Sequence, residues 1–459
     1  MFNKLKHLIP FFLFVIPFVH AQDVPKQKVT IQFEFPVLAG KEIILAYPFW
    51  NKTYVKDTLR LDAYGKNLYT PADGLEPGMY YIVVPPENKY VTFLVDNEPL
   101  FAIKGDPNKA TESFSFTQSP INTKYYNYLR FIEGMKNQIE AINADVKLGE
   151  ADKIAALAEI EKKVDERQLF NMGIEGSLLG KIIELSRNPE LEITTNKAEE
   201  PRVFYAYREA YFKTIDVTDM RLLRTPMLAE RINYFLDELV VKQPDSILTY
   251  CHRFIKNAEK SPPVRKVLIL ELLNKYAKQK YIFSEDIYAE LGKAYYSSGQ
   301  ANWIDKDALK KITDNVERLL KVKIGVKAPN FNLPDRNFKY YSLHSLTAKG
   351  FVLYFYSTDC GKCARTLPKL SSAEKKYRSS NIKFITILVN SKDEVKINEV
   401  FTKYEMSGFL NLLSRERNIA TELYNFTSYP GFFVLDAKHI ILSKRFDVDQ
   451  LEQVLDSHF

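Results

Sequence analysis

The sequence predicts a multidomain protein of three successive architectures: an N-terminal antiparallel β-sandwich-like region, an all-α middle region and a C-terminal α/β layer structure. Three observations carry this. The chain has 459 residues, well beyond the roughly 250–300 at which one hydrophobic core stops growing. Its apolar period changes from two to about 3.6 near Pro120, exchanging strands for helices. From Ile324 onward apolar runs alternate with amphipathic stretches, as in strands covered by helices.

Composition narrows the function classes. Apolar residues are 46% and charged residues 26%, ordinary values that exclude general disorder. The net charge of +7 comes from 64 basic and 57 acidic residues, mixed along the chain, and leaves no nucleic-acid footprint. Three cysteines are too few for a disulfide-stapled scaffold and one short of a four-cysteine zinc site.

Residues 1–21 read as a secretory signal. Lys4, Lys6 and His7 open it, an uncharged apolar run fills 8–19, and the small Ala21 stands before the expected cut. The run is shorter than the roughly 20 residues a bilayer span needs, and no later stretch reaches 18 apolar residues. The mature protein is therefore expected to be exported without a membrane span, into a compartment where disulfides persist.

Residues 22–118 form the expected β-rich region. Val29, Ile31, Phe33 and Phe35 alternate with polar residues, and strand-like runs follow at 42–46, 55–61, 79–84, 90–95 and 100–103. Turn residues such as Glu76-Pro77-Gly78 and Gly105-Asp106-Pro107 separate them. Residues 119–323 form the helical region. Ile154, Leu157, Ile160 and Val164 mark one amphipathic helix; 234–241 and 264–277 read as others, the latter opened by Pro262-Pro263. Cys251 beside His252 suits a nucleophile pair or, more simply, a buried thiol in a helix. No motif assigns a function to either region; partner recognition or dimerisation is the expectation for both.

Residues 324–459 carry the alternation: strands at 351–357, 382–389, 432–435 and 440–442, and helices at 364–377, 393–404, 419–423 and 448–457. Cys360-Gly361-Lys362-Cys363 stands directly after the first strand and opens the first helix. A thiolate there meets unpaired backbone N–H groups and the positive end of the helix dipole. Lys362 adds a nearby positive charge. In such settings a cysteine pKa falls from about 8.5 to roughly 3.5–7.5, and the two-residue spacing lets the pair exchange with a partner's disulfide. Pro368, five residues after Cys363, removes a helical hydrogen bond. Tyr429-Pro430 precedes the strand at 432–435, and a cis bond there would bring backbone close to the dithiol.

With Gly325-Val326-Lys327-Ala328-Pro329-Asn330-Phe331 at its start, Phe355 in the strand, the dithiol, Pro368 and Pro430, this region resembles the thioredoxin-like fold. Within it, the resemblance is to the TlpA/ResA-like thiol-disulfide oxidoreductases, related to AhpC/TSA. The 70 residues from Cys360 to Pro430 suit that branch, which carries an extra strand and helix. The resemblance implies that Cys360 is the exposed attacking thiolate and Cys363 the buried resolving thiol. It implies that the Tyr429 backbone and Pro430 hold the substrate strand, with Asp359, Gly361, Lys362 and Pro368 in support. It implies protein disulfide or dithiol substrates, a redox partner in the envelope, a periplasmic location, and no cofactor or metal. The whole order of segments also looks like a group of exported proteins of envelope-bearing anaerobes.

Two positions depart from the pattern. Asp359 stands where the family usually has Trp, and its negative charge would oppose a Cys360 thiolate. Tyr354 replaces the buried carboxylate that moves protons for the buried cysteine. An AhpC/TSA-type peroxidase shares the fold; Ser357 fits its pattern, but Leu353 occupies the place of its proline. A static disulfide in a binding or scaffold protein is the other alternative. Metal binding is disfavoured, because the dithiol supplies two ligands and His252, His344, His439 and His458 lie far from it in sequence.

Overall fold

A computed structural model describes residues 25–86, 89–172, 176–192, 194–278, 283–389, 393–404, 406–415, 418–426 and 428–459. The signal segment expected over 1–21 lies outside them. Among these, two compact units emerge, one made of 25–242 with 249–268 and the other of 243–248 with 269–459.

The first unit begins with eight strands: β1 (Thr30–Glu34), β2 (Glu42–Phe49), β3 (Lys52–Arg60), β4 (Lys66–Tyr69), β5 (Gly78–Val84), β6 (Lys89–Val95), β7 (Leu100–Lys104) and β8 (Ser115–Thr117). They form two sheets, ordered β4-β1-β7-β8 and β3-β2-β5-β6. Alternation works as the sequence implied: Ile31 and Phe33 are buried while Thr30, Gln32 and Glu34 are only half-buried. Phe33 and Phe101 of one sheet each approach Phe93 of the other at 6.2 Å between ring centroids, which closes the sandwich core. The expected antiparallel arrangement needs one correction, because β1 runs parallel to β7. Strands β2, β3, β5 and β6 intervene in the other sheet, and a crossover of that length permits parallel pairing.

Helices α1 (Ala110–Ser113), α2 (Pro120–Ala144), α3 (Glu150–Met172), α4 (Leu178–Ser186), α5 (Glu200–Lys213) and α6 (Met227–Tyr234) complete most of this unit. The helix expected over 234–241 starts earlier, as α6, and continues into a π turn, Phe235–Leu239, that buries Phe235, Leu236 and Leu239. Arg224 is fully buried, its guanidinium 4.0 Å from the Tyr47 ring of β2, 5.2 Å from the Tyr80 ring of β5 and 3.6 Å from Glu76, so a charge and two aromatic strands pin the turn Met220–Arg224. Helices α7 (Pro244–Asn257) and α8 (Pro262–Lys278) have residues in both units. Cys251 is buried in α7.

The second unit continues with α9 (Ser284–Leu291), α10 (Lys306–Leu320) and the hairpin β9 (Asn332–Pro334) and β10 (Tyr340–Ser342). A five-stranded sheet follows, from β11 (Gly350–Tyr356), β12 (Ile382–Val389), β13 (Leu410–Ser414), β14 (Gly431–Asp436) and β15 (Ile441–Lys444), in the order β13-β12-β11-β14-β15. The first three are mutually parallel, and β14 and β15 are antiparallel to their neighbours. All seven residues of β11 are buried, as expected of a strand covered on both faces. The helices are α11 (Gly361–Tyr377), α12 (Glu394–Lys403), α13 (Ile419–Glu422) and α14 (Leu451–His458). One core layer gathers Tyr354, Tyr356, Cys363, Leu367, Phe432 and Leu455; the other gathers Phe351, Leu353, Phe355, Tyr424, Phe426 and Phe433.

Helix α9 is bonded into this sheet. Lys444 Nζ lies 2.7 Å from Asp286 Oδ1, both side chains essentially inaccessible to solvent, and the Ile324 N–H donates to Asp286 Oδ2 at 3.2 Å. The helices read from sequence as one stretch, 119–323, are thus shared between the two units.

Candidate active site

The dithiol sits where β11 hands over to α11. Cys360 occupies the N-cap of α11, and the Cys363 N–H points at Cys360 Sγ at 3.1 Å. The two cysteines form a disulfide. Cys363 is buried in the core while Cys360 is half-buried. Between them Gly361 and Lys362 are exposed, and a side chain at Gly361 would meet only the Arg365 guanidinium, at 3.8 Å. Pro368 lies inside α11 on its exposed side.

The Tyr429–Pro430 bond is cis, and the Tyr429 carbonyl oxygen lies 3.6 Å from Cys360 Sγ. The Tyr429 hydroxyl donates to Asn418 Oδ1 at 3.0 Å, steadying that loop from the start of α13. Cys360, Cys363, Lys362, Asp359, Tyr429 and Pro430 therefore meet at one end of the sheet.

Both charges beside the dithiol have counterions. Asp359 pairs with Lys396 Nζ at 2.7 Å, and its hydrogen bond and charge raise the Lys396 pKa. Lys362 Nζ lies 3.3 Å from Asp447 Oδ2. The expected contest between Asp359 and Lys362 over the Cys360 thiolate is thus muted on both sides, through two residues that local sequence did not mark. No signal near the motif could have found them, since Lys396 is 37 and Asp447 85 residues from its partner.

Tyr354 is buried, and its hydroxyl donates to the Cys363 carbonyl oxygen at 3.1 Å. Burial pushes its pKa far up, so it holds the first turn of α11 in place and keeps its own proton. Leu353, at the peroxidase proline position, is fully buried in β11. His344 and His439 approach each other at 5.3 Å between rings, with His439 stacked on Phe351 of the layer that does not hold the dithiol. Among the described residues no group of three or more His, Cys, Asp or Glu side chains is placed to hold a metal, and no helix is long and apolar enough to cross a membrane.

Comparison with known proteins falls on this same region. The AhpC/TSA family model matches residues 324–444. The chain is similar to the thiol-disulfide oxidoreductase ResA of Bacillus cereus, 25% identical over 134 residues that cover 29% of this chain and 76% of the relative. It is similar to ResA of Bacillus subtilis at 26% identity over 112 residues, covering 24% of this chain and 61% of that one. A solved domain of a possible thiol-disulfide isomerase from Cytophaga hutchinsonii aligns at 28% identity and a TM-score of 0.28, covering 29% of this chain and 91% of its own. The C-terminal region is a thioredoxin-like module of the TlpA/ResA type, and the protein that carries it is an oxidoreductase.

Proposed function

We propose that the protein is an exported thiol-disulfide oxidoreductase of the cell envelope, exchanging disulfides with protein partners through Cys360 and Cys363. The observation that carries this reading is the half-buried Cys360 sulfur, aligned with the Cys363 N–H at 3.1 Å and the Tyr429 carbonyl at 3.6 Å. The N–H and the helix N-terminus favour a sulfur that leaves or attacks as an anion. The carbonyl beside Pro430 offers a main-chain acceptor to a polypeptide laid across the site.

From the disulfide form, a partner thiolate attacks Cys360 Sγ. The Cys360–Cys363 bond breaks, and its electron pair goes to Cys363, which takes up a proton. The partner's second thiolate then attacks its own sulfur in the mixed disulfide, and Cys360 leaves as a thiolate. Two electrons pass from the partner to the dithiol, and the reverse sequence reduces a partner disulfide. Tyr354 keeps its proton, so the proton on Cys363 is exchanged with water or with the partner. Lys362, Asp359 and the open Gly361 form the surface the partner meets, and Pro368 shapes the helix behind it. The basic and apolar start of the chain supports export to the periplasm. We assign residues 22–118 and 119–323 to partner recognition or dimerisation, ahead of a redox module over 324–459.

The test is an equilibrium redox titration of the mature protein in thiol buffers, with the Cys360–Cys363 couple followed by mass-tagging. A reversible two-electron transition within about −300 to −100 mV is expected, and Cys363→Ser should trap a mixed disulfide through Cys360. A pair locked as a disulfide across that range, or reduced and unreactive, overturns the reading in favour of a static bridge. Stoichiometric turnover of hydrogen peroxide with no exchange would instead favour the peroxidase.

A further inference from the structure

Lys444, Arg445, Phe446 and Asp447 are consecutive, and between them they reach α9, the core layer of the dithiol and the dithiol motif itself. Lys444 is bonded to Asp286 of α9. Phe446 stacks on Phe432 at 5.3 Å, in the core layer that holds Cys363. Asp447 pairs with Lys362 of the dithiol motif. Arg445 reaches three groups: its guanidinium lies 2.7 Å from Glu285 of α9, donates to the Asn425 carbonyl at 2.6 Å and faces the Phe426 ring at 5.2 Å. Its backbone takes a left-handed conformation, φ 55°, uncommon for a residue with a side chain.

Phe426 connects this group to the site. Its ring lies 5.1 Å from Phe355, in the strand that leads to the dithiol. It also covers Gly431 so closely that a Cβ there would fall 2.1 Å from the ring. Gly431 directly follows Pro430, whose neighbour Tyr429 places its carbonyl against Cys360. A continuous run of contacts thus leads from α9 through Arg445, Phe426 and Gly431 to the backbone beside the attacking sulfur.

We infer that Arg445 is a positioning residue of the redox site: anchored by Glu285, it holds Asn425 and Phe426 and so fixes where Tyr429 and Pro430 stand over Cys360. The inference deepens the proposed function and rests on it. It makes α9 part of the apparatus that receives a polypeptide disulfide, and it requires Arg445 to matter only where the partner uses the Tyr429 backbone. A small reagent that meets the sulfur alone should not sense it.

The experiment compares the full-length protein with Arg445→Gln and Arg445→Lys in two assays: exchange with a disulfide-bonded peptide, and iodoacetamide alkylation of reduced Cys360 across pH. Displacing a reacting group by about 1 Å can cost up to ~100-fold. We expect a fall in kcat/KM toward the peptide of at least about fivefold for Arg445→Gln, taken mainly in KM. The alkylation rate and its pH profile should stay within twofold. Arg445→Lys keeps a charge facing Glu285 but loses the planar fork that also reaches Asn425, and should lie between. Peptide exchange unchanged in both variants overturns the inference, as do both rates falling together. If Arg445→Gln does not fold, Arg445→Lys must show the same split or the inference fails. A wild-type protein that exchanges with no peptide removes the functional reading and this inference with it, whereas an active wild type matched by both variants removes the inference alone.

Discussion

Replacing Asp286 by Asn tests whether α9 is energetically part of the redox module. The Asp286 carboxylate and the Lys444 ammonium lie 2.7 Å apart, at 1% and 0% side-chain exposure. Asparagine keeps the volume and an acceptor for the Ile324 N–H but removes the charge. Lys444 is then left with Glu285 alone, at 3.6 Å and 30% exposed. Breaking a buried pair from one side costs about 3–5 kcal/mol, and the remaining attraction to Glu285 reduces that to about 2–4 kcal/mol. For a unit of about 200 residues, each kcal/mol moves the melting midpoint by about 2–4 °C, so a drop of roughly 5–15 °C is expected.

The assay is thermal and urea unfolding of the full chain, observed through Trp303, which lies in the second unit. Trp50, in the first, is replaced by Phe in reference and variant alike. Replacing both partners by apolar residues, Asp286→Leu with Lys444→Met, should recover much of the loss, because no lone buried charge remains. A change below about 1 kcal/mol for Asp286→Asn, or singles that simply add in the double variant, would refute the claim that α9 is fastened by this pair.

Gly431→Ala approaches the site from the other side of Phe426. A Cβ 2.1 Å from a ring that is 4% exposed must push it about 1.3 Å to reach ordinary contact near 3.4 Å, an overpacking cost of about 1–3 kcal/mol. Melting should fall and peptide-disulfide exchange should slow more than alkylation; wild-type melting would contradict the packing. In the first unit, Glu209 accepts from Arg253 at 2.9 and 2.8 Å, and those bonds, with Tyr250 and against partial burial, hold its pKa near 2. A depressed carboxylate stabilises the fold fully above its unfolded value of about 4.3 and loses that contribution as pH falls through the folded value. Stability read by Trp50, with Trp303 replaced by Phe in reference and variant alike, should therefore drop more steeply with Glu209 present than with Glu209→Gln between pH ~4.5 and ~2; parallel curves would contradict it.

The sequence made legible what is local. Strand β1 showed its alternation, β11 and β12 their apolar runs, and the dithiol, Pro368 and Pro430 their places at element ends. Strands β4 and β8, of 4 and 3 residues, were too short to display a period. Strand β13, Leu-Asn-Leu-Leu-Ser, carries only three apolar residues, too few to display a strand period. The sharing of the helices between two units could not be read at all. It follows from contacts between residues far apart in the chain, such as Lys444 with Asp286 across 158 residues, and a buried lysine looks like any other in sequence.

The chemistry of Cys360 shows the same divide between local and distant causes. Asp359 and Lys362 adjoin the cysteine and invite an argument from charge, yet each is spent on its own partner, Lys396 and Asp447. These side chains are all more than half exposed, where water and salt weaken their reach. The Cys363 N–H at 3.1 Å and the open end of α11 are backbone groups fixed by the fold, with Tyr354 locking the turn that presents them. They act on Cys360 whatever stands at 359 and 362. Under the proposed function, the reactivity of the sulfur is therefore set by the strand-to-helix junction, and the residues around and between the cysteines are left to shape the surface that a partner would meet.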